Sequence, residues 1–317
     1  MFRVAVLDDY QKVALSIADW KILDPEAEVQ AFTDNLVEVP RLAERLHTFD
    51  AAVLMRERTP FPRALFERLP NLRMLVTAGM RNASIDMAAA AEKGVLVTGT
   101  EMLGHPTAEL TWGLIIGLLR HIPFEAAAMR SGLWQTTLGQ GLKGKTLGVI
   151  GLGELGAQVA AVGKAFGMTV IAWSQNLTAE RAAAAGVTLV SKENLLESAD
   201  VVTIHLVLSD RSRGLLGASD LRRMKPTAFL VNTSRGPIVE EAALVDALRS
   251  HRIAGAALDV YDREPLPADH PLRRLDNVVL TPHLGYALDE NYRIVYRQAI
   301  ENIRAFMDGK KLRVIAG

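Results

Sequence analysis

The strongest constraint on this fold is local. The apolar run Thr146–Ile150 (TLGVI) passes directly into Gly151-Leu152-Gly153-Glu154-Leu155-Gly156, and a helical pattern continues through Phe166. A strand, a glycine-rich turn and a helix in immediate succession are the opening of a parallel βαβ unit. In such a turn the first glycine permits the tight reversal, and the second lets the backbone approach a pyrophosphate. The third lets the helix pack close to the strand, and the helix N-terminus then faces the phosphate charge. Gly151, Gly153, Glu154, Leu155 and Gly156 are therefore predicted to bind a dinucleotide.

The same alternation runs through the whole chain. Short apolar runs predict strands at Arg3–Leu7, Glu28–Phe32, Ala51–Leu54, Met74–Val76 and Val95–Val97, with helical patterns at Val37–His47 and Ile85–Lys93 between them. A longer helical pattern spans Thr107–Arg130, with no internal proline except Pro123, and reads as one or two helices leading into a second domain. Further strands are predicted at Thr146–Ile150, Thr169–Ala172, Val187–Val190, Val201–Ile204, Ala228–Val231, Ala254–Leu258 and Val278–Leu280. A final helix at Glu290–Met307 can pack back on the first domain. The expected fold is α/β, with two doubly wound parallel-sheet domains (Rossmann-like and flavodoxin-like). At about 150 residues per domain, 317 residues also suit two domains.

Composition excludes several function classes. Lys plus Arg and Asp plus Glu number 36 each, and aromatics make up 6%, so neither the charge nor the stacking surface of a nucleic-acid binder is present. Cysteine is absent, which removes disulfides, thiol nucleophiles and Cys-ligated metals, and fits a reducing cytoplasm. No histidine spacing suggests a metal site. The start, MFRVAVLDDYQKV, is too short and too acidic for a signal-peptide core. Leu110–Leu119 is about half a membrane span, so no membrane association is expected.

Three later segments carry chemistry. They are Val231-Asn232-Thr233-Ser234-Arg235-Gly236-Pro237, Gly255 to Leu266 (GAALDVYDREPL), and Thr281-Pro282-His283-Leu284-Gly285. Arg235, Glu264 and His283 each follow a predicted strand, where ligand sites of α/β sheets form. Arg offers a planar fork that can grip a carboxylate and polarise a carbonyl. His can supply a proton near neutrality, and a carboxylate on the far side of the ring would fix its tautomer. With the glycine-rich turn, these segments resemble the D-isomer-specific 2-hydroxyacid dehydrogenase family over nearly the whole chain.

The resemblance implies an enzyme that moves a hydride between a nicotinamide cofactor and a small D-2-hydroxy or 2-oxo acid, with Arg235, Glu264 and His283 as its catalytic residues. It places a catalytic, substrate-binding domain at 1–102 with 287–317, a dinucleotide domain at 103–286, and the active site in the cleft. It implies cofactor contacts at Thr107, Thr233, Ser234, Arg235, Asp259, His283 and Gly285, with Asp259 meeting the nicotinamide carboxamide. The adenine is lined by His205-Leu206-Val207-Leu208, where Val207 replaces a usual proline. The long helix typically forms a dimer interface, which implies a homodimer. The family also contains C-terminal-binding-protein corepressors, so a dinucleotide-sensing scaffold is the alternative. No separate regulatory domain is expected after residue 317, and amino-acid feedback is therefore not expected either.

Two departures bear on selectivity. The second strand of the dinucleotide domain ends in Ser174-Gln175-Asn176, without the usual ribose-binding carboxylate. Repulsion of a 2′-phosphate is thus absent, yet no arginine follows to attract one. Ser174 and Gln175 predict use of both NADP and NAD, with a slight lean to NADP. The second departure is the loop after Met74–Val76, which reads Thr77-Ala78-Gly79-Met80-Arg81-Asn82, with Arg81 near the place of a second glycine. Gly79, Met80 and Arg81, together with Arg56 and Arg58 after an earlier strand, are substrate-binding candidates favouring an acid with a second anionic or polar group. These arginines could equally pair with Glu57 or Asp86, or point into water.

Overall fold

The computed structural model describes residues 1–315. Its first unit comprises Met1–Leu103 and the segment from Leu288 onward. Within it, β1 (Phe2–Val6), β2 (Ala27–Ala31), β3 (Ala51–Leu54), β4 (Met74–Thr77) and β5 (Leu96–Gly99) form a parallel sheet in the order β2-β1-β3-β4-β5. Strands β3 and β4 are buried along their whole length, as expected of parallel strands covered on both faces. One face packs Leu42, Leu46, Phe61, Leu65 and Leu75 into a core. The helix Asp289–Met307 covers β4 in the same unit, and its Asn302 donates to the Gly99 carbonyl at 2.9 Å.

The second unit, Gly104–Ala287, contains a seven-stranded parallel sheet. Its strands are β6 (Thr146–Ile150), β7 (Thr169–Trp173), β8 (Thr188–Leu189), β9 (Val201–Ile204), β10 (Phe229–Asn232), β11 (Gly255–Leu258) and β12 (Val278–Leu280), in the order β12-β11-β10-β9-β6-β7-β8. Chain order reverses between β9 and β6, so the glycine-rich turn after β6 opens at a topological switch point. Two apolar layers sandwich the sheet, one around Leu195, Val202, Leu230 and Leu248, the other around Trp112, Ile115, Leu147 and Val231.

One strand expectation needs correction. The strand predicted at Val187–Val190 is only the two-residue edge β8. Short helices at Ala14–Ile17 and Arg63–Phe66 had no clear signal, because four residues cannot display a helical period. The Thr107–Arg130 pattern is two helices, Pro106–Leu119 and Ile122–Arg130. They part at His121, which adopts the left-handed conformation (φ 52°), just before Pro123 in the new first turn. Residues 316–317 of the segment expected at 287–317 lie outside the described residues.

Candidate active site

Register brings the three catalytic candidates together. Asn232, Leu258 and Leu280 lie abreast at the C-terminal ends of β10, β11 and β12, which are consecutive neighbours. Arg235, Glu264 and His283 sit three, six and three residues beyond that line. His283 Nδ1 lies 2.5 Å from Glu264 Oε2, and the other carboxylate oxygen accepts the Tyr261 N–H at 2.9 Å. Burial would raise the Glu264 carboxyl, but the His283 hydrogen bond and charge, the Tyr261 N–H and the Arg235 charge outweigh it. The net effect holds the group below its ordinary value. Glu264 is therefore ionised near neutrality, so Nδ1 must be the donor of this bond. That leaves Nε2 as the nitrogen able to exchange a proton.

Backbone and neighbours fix both partners. His283 is left-handed (φ 55°), a conformation uncommon for a non-glycine residue and frequent at functional sites. The edge of the Tyr286 ring packs on the imidazole, with centroids 5.4 Å apart and planes at 71°. Asn232 clasps the Arg235 loop: its amide donates to the Arg235 carbonyl at 3.0 Å, and its oxygen accepts the Ser234 N–H at 3.0 Å. Ser234 Oγ donates to the Ile204 carbonyl at 2.8 Å, anchoring this loop to the end of β9. Thr233 and Thr111 share a buried hydroxyl bond of 2.8 Å, and Thr107 Oγ1 donates to the Gly285 carbonyl at 2.9 Å. Asn232, Thr111 and Tyr286 were not singled out by sequence. The asparagine lies inside the recognised NTSRG segment, whereas nothing local signals the other two.

Asp259 is tied to the loop that carries His283. Its side chain is fully buried, with Oδ1 accepting Thr281 Oγ1 (2.6 Å) and the Leu284 N–H (2.7 Å), and Oδ2 accepting the Gly285 N–H (2.9 Å). Burial raises its carboxyl despite these bonds. The carboxylate thus ties the His283 loop to the end of β11.

The glycine-rich turn fits a dinucleotide. Gly151 has φ 98°, and its N–H donates to the Trp173 carbonyl at 2.8 Å. A Cβ on Gly156 would overlap the Gly151 carbonyl oxygen, so helix and turn close only around a glycine. Gly153 differs: nothing lies within 4 Å of where its Cβ would be, so this face is open. Gly153 caps the helix Glu154–Ala165 without a side-chain bond, which leaves first-turn N–H groups available to an anion. Ser174 is half-buried after β7, while Gln175 and Asn176 are exposed. Val207 is 83% exposed, and burial pushes His205 down to about 4, which keeps it neutral.

In the first unit, the substrate-binding candidates separate into different environments. Gly79 (φ 86°) donates its N–H to Thr100 Oγ1 at 3.2 Å, so this N–H is already committed. Arg56 packs against it: a Cβ on Gly79 would lie 2.5 Å from Arg56 Nη1. Arg56 also pairs with Glu57 at 3.6 Å, the structural reading left open by sequence. Arg58 donates to the Asp8 carbonyl and lies over the Tyr10 ring at 4.6 Å. Met80 and Arg81 are exposed, and Arg81 forms no ion pair among the described residues.

Comparison with known proteins places the chain in a family. Residues 112–285 match the family model for the D-isomer specific 2-hydroxyacid dehydrogenase NAD binding domain, and the chain belongs to that family. It is 42% identical over 256 residues to a glyoxylate reductase of Aeropyrum pernix, covering 78% of this chain and 76% of the relative. It is 40% identical over 313 residues to a D-3-phosphoglycerate dehydrogenase of Bacillus subtilis, covering 98% of this chain but spanning only 58% of that longer protein. Among solved structures, a phosphoglycerate oxidoreductase from Vibrio cholerae superposes with a TM-score of 0.93 at 36% identity, covering 98% of this chain and 100% of that one. The matched domain implies a nicotinamide cofactor.

Proposed function

We propose that the chain interconverts a small 2-oxo acid and its D-2-hydroxy acid with a nicotinamide dinucleotide, residues 104–287 holding the cofactor. The observation that carries the reading is the His283–Glu264 pair at 2.5 Å beside Arg235, on three adjacent strand ends. A reduced nicotinamide bound there would supply the hydride for the carbonyl carbon. Arg235 grips the carboxylate and polarises the carbonyl, and His283 gives the proton on Nε2 to the carbonyl oxygen. The hydroxy acid leaves, and the neutral imidazole, still donating through Nδ1 to Glu264, takes a new proton from solvent. Relatives named as reductases and dehydrogenases favour this over the corepressor-like scaffold, which would share the triad. In His283→Ala, reduction of glyoxylate or hydroxypyruvate should fall by about 100- to 10,000-fold with dinucleotide binding retained. Activity within threefold of the parent would remove His283 from the role.

For the cofactor we infer dual use with a slight lean to NADP, on the strength of Ser174 and the neutral Gln175-Asn176 pair. For the substrate, Arg56 and Arg81 remain the candidates for a second anionic or polar group, with Gly79 shaping the loop and Arg58 serving structure. The N–H groups of Met80 and Arg81 take no part in a hydrogen bond among the described residues, and they are better placed to receive a carboxylate than Gly79. Arg81→Ala should cost more kcat/KM on a dianionic 2-oxo acid than on pyruvate, by roughly 10- to 150-fold for one charge-assisted bond. Equal losses on both would return Arg81 to a solvated surface role.

A homodimer is also proposed, with the long helical pattern at Thr107–Arg130 and the segment after it as its interface. The apolar residues Ala108, Trp112, Leu114, Ile115, Leu118 and Leu119 of Pro106–Leu119 are buried in their own unit. Exposed apolar groups instead crowd the next segment: Phe124, Met129, Leu133, Trp134 and Leu138. Glu125 fixes that segment by accepting bonds from Thr136 and Thr137, which hold its carboxyl at about 2. We also propose a location in the cytoplasm, as the lack of cysteine suggests; no helix among the described residues is long and apolar enough to cross a membrane.

A further inference from the structure

Glu154 occupies a position where a carboxylate works against the ligand. It is the first residue of the helix Glu154–Ala165, and it follows the open Gly153 face directly. Its side chain is exposed and reaches the segment before the helix Pro106–Leu119: Oε1 lies 2.9 Å from where a Cβ on Gly104 would be. The carboxylate therefore stands in the first turn of its helix, one residue after Gly153. No salt bridge neutralises it among the described residues; the neighbouring His105 pairs with Glu109 at 3.7 Å instead. For the isolated protein this is a favourable place for an acid, because the helix dipole presents partial positive charge there. A bound dinucleotide brings a doubly charged pyrophosphate to that same partial charge, and two anionic groups then share it.

We propose that Glu154 is an affinity-setting residue that weakens dinucleotide binding by repelling the pyrophosphate, an inference resting on the reading that this turn holds the cofactor. The same carboxylate stabilises the unliganded helix, so removing it has opposite effects on folding and on binding. A purely structural side chain would not give that pair of signs. Loose holding suits a turnover in which the spent cofactor must leave before the next arrives.

The test is a direct titration of NADH and NADPH into wild type, Glu154→Gln and Glu154→Lys, read by nicotinamide fluorescence without substrate. Glu193→Gln, in the first turn of another helix, controls for the change in net charge. The glutamine variant should bind both dinucleotides roughly 3- to 30-fold more tightly at low salt, as expected for like charges a few ångströms apart near a surface. Lysine should tighten binding further. The gain should shrink at about 0.5 M salt, where screening acts over a few ångströms, and apo thermal stability should fall slightly. Unchanged or weaker binding in both variants, or an equal gain in the Glu193 control, would overturn the inference. If wild type bound neither dinucleotide at any salt, the cofactor reading itself would fail, a result separate from the first.

Discussion

Replacing Glu264 by Gln removes one charge from the site and little else. The amide oxygen can still accept the His283 Nδ1–H, so the ring should stay oriented while its ionised partner is lost. The 2.5 Å contact, on a carboxylate 30% exposed, is a charge-assisted hydrogen bond of the stronger kind. Such a bond contributes about 1.5–3 kcal/mol, so kcat should fall roughly 10- to 150-fold if the imidazolium is stabilised chiefly by this carboxylate. KM should change little, because Arg235 still grips the substrate. Glu264→Ala should lose more, since the ring is then unanchored too. The assay is steady-state 2-oxo acid reduction followed by nicotinamide absorbance, with dinucleotide binding as a folding control. A glutamine variant within threefold of the parent would refute the role. Linkage gives a second readout. The Glu264 carboxyl is lower in the folded protein than its ordinary value of 4.5, so the pair contributes stability above that value. That contribution is lost as pH falls through the depressed folded value. Unfolding free energy measured between about pH 6 and pH 3 should therefore fall more steeply in wild type than in Glu264→Gln.

Two further outcomes follow from the geometry. Ser174→Asp should shift the ratio of kcat/KM for NADH over NADPH toward NADH, because a carboxylate at the end of β7 repels a 2′-phosphate. A wild type preferring NADH more than a hundredfold would remove the lean to NADP. Asp259→Asn should destabilise the protein by about 1–3 kcal/mol, since an amide nitrogen cannot accept from the N–H groups that Asp259 now satisfies. Denaturant unfolding measures this, and a loss below about 0.5 kcal/mol would contradict its loop-anchoring role.

Much of the molecule was legible in its sequence because the relevant physics is local. Apolar runs bounded by turns marked most of the strands, and the GLGELG run announced the shape of its turn through the backbone requirements of Gly151 and Gly156. Arg235, Glu264 and His283 could be nominated because their segments resemble a known family, with residue types that suit the chemistry. Their meeting could not be read that way. It depends on β10, β11 and β12 being neighbours with ends abreast, which non-local pairing and burial of both sheet faces decide. The same holds for hydrogen bonding. Neither the three hydrogen bonds that tie Asp259 to the loop carrying His283 nor the bond from the Gly79 N–H to Thr100 Oγ1 could be read from sequence spacing. A sequence specifies which groups are available for chemistry; tertiary packing decides which of them are already spent on the protein itself, because each buried polar group must find its partner within the fold.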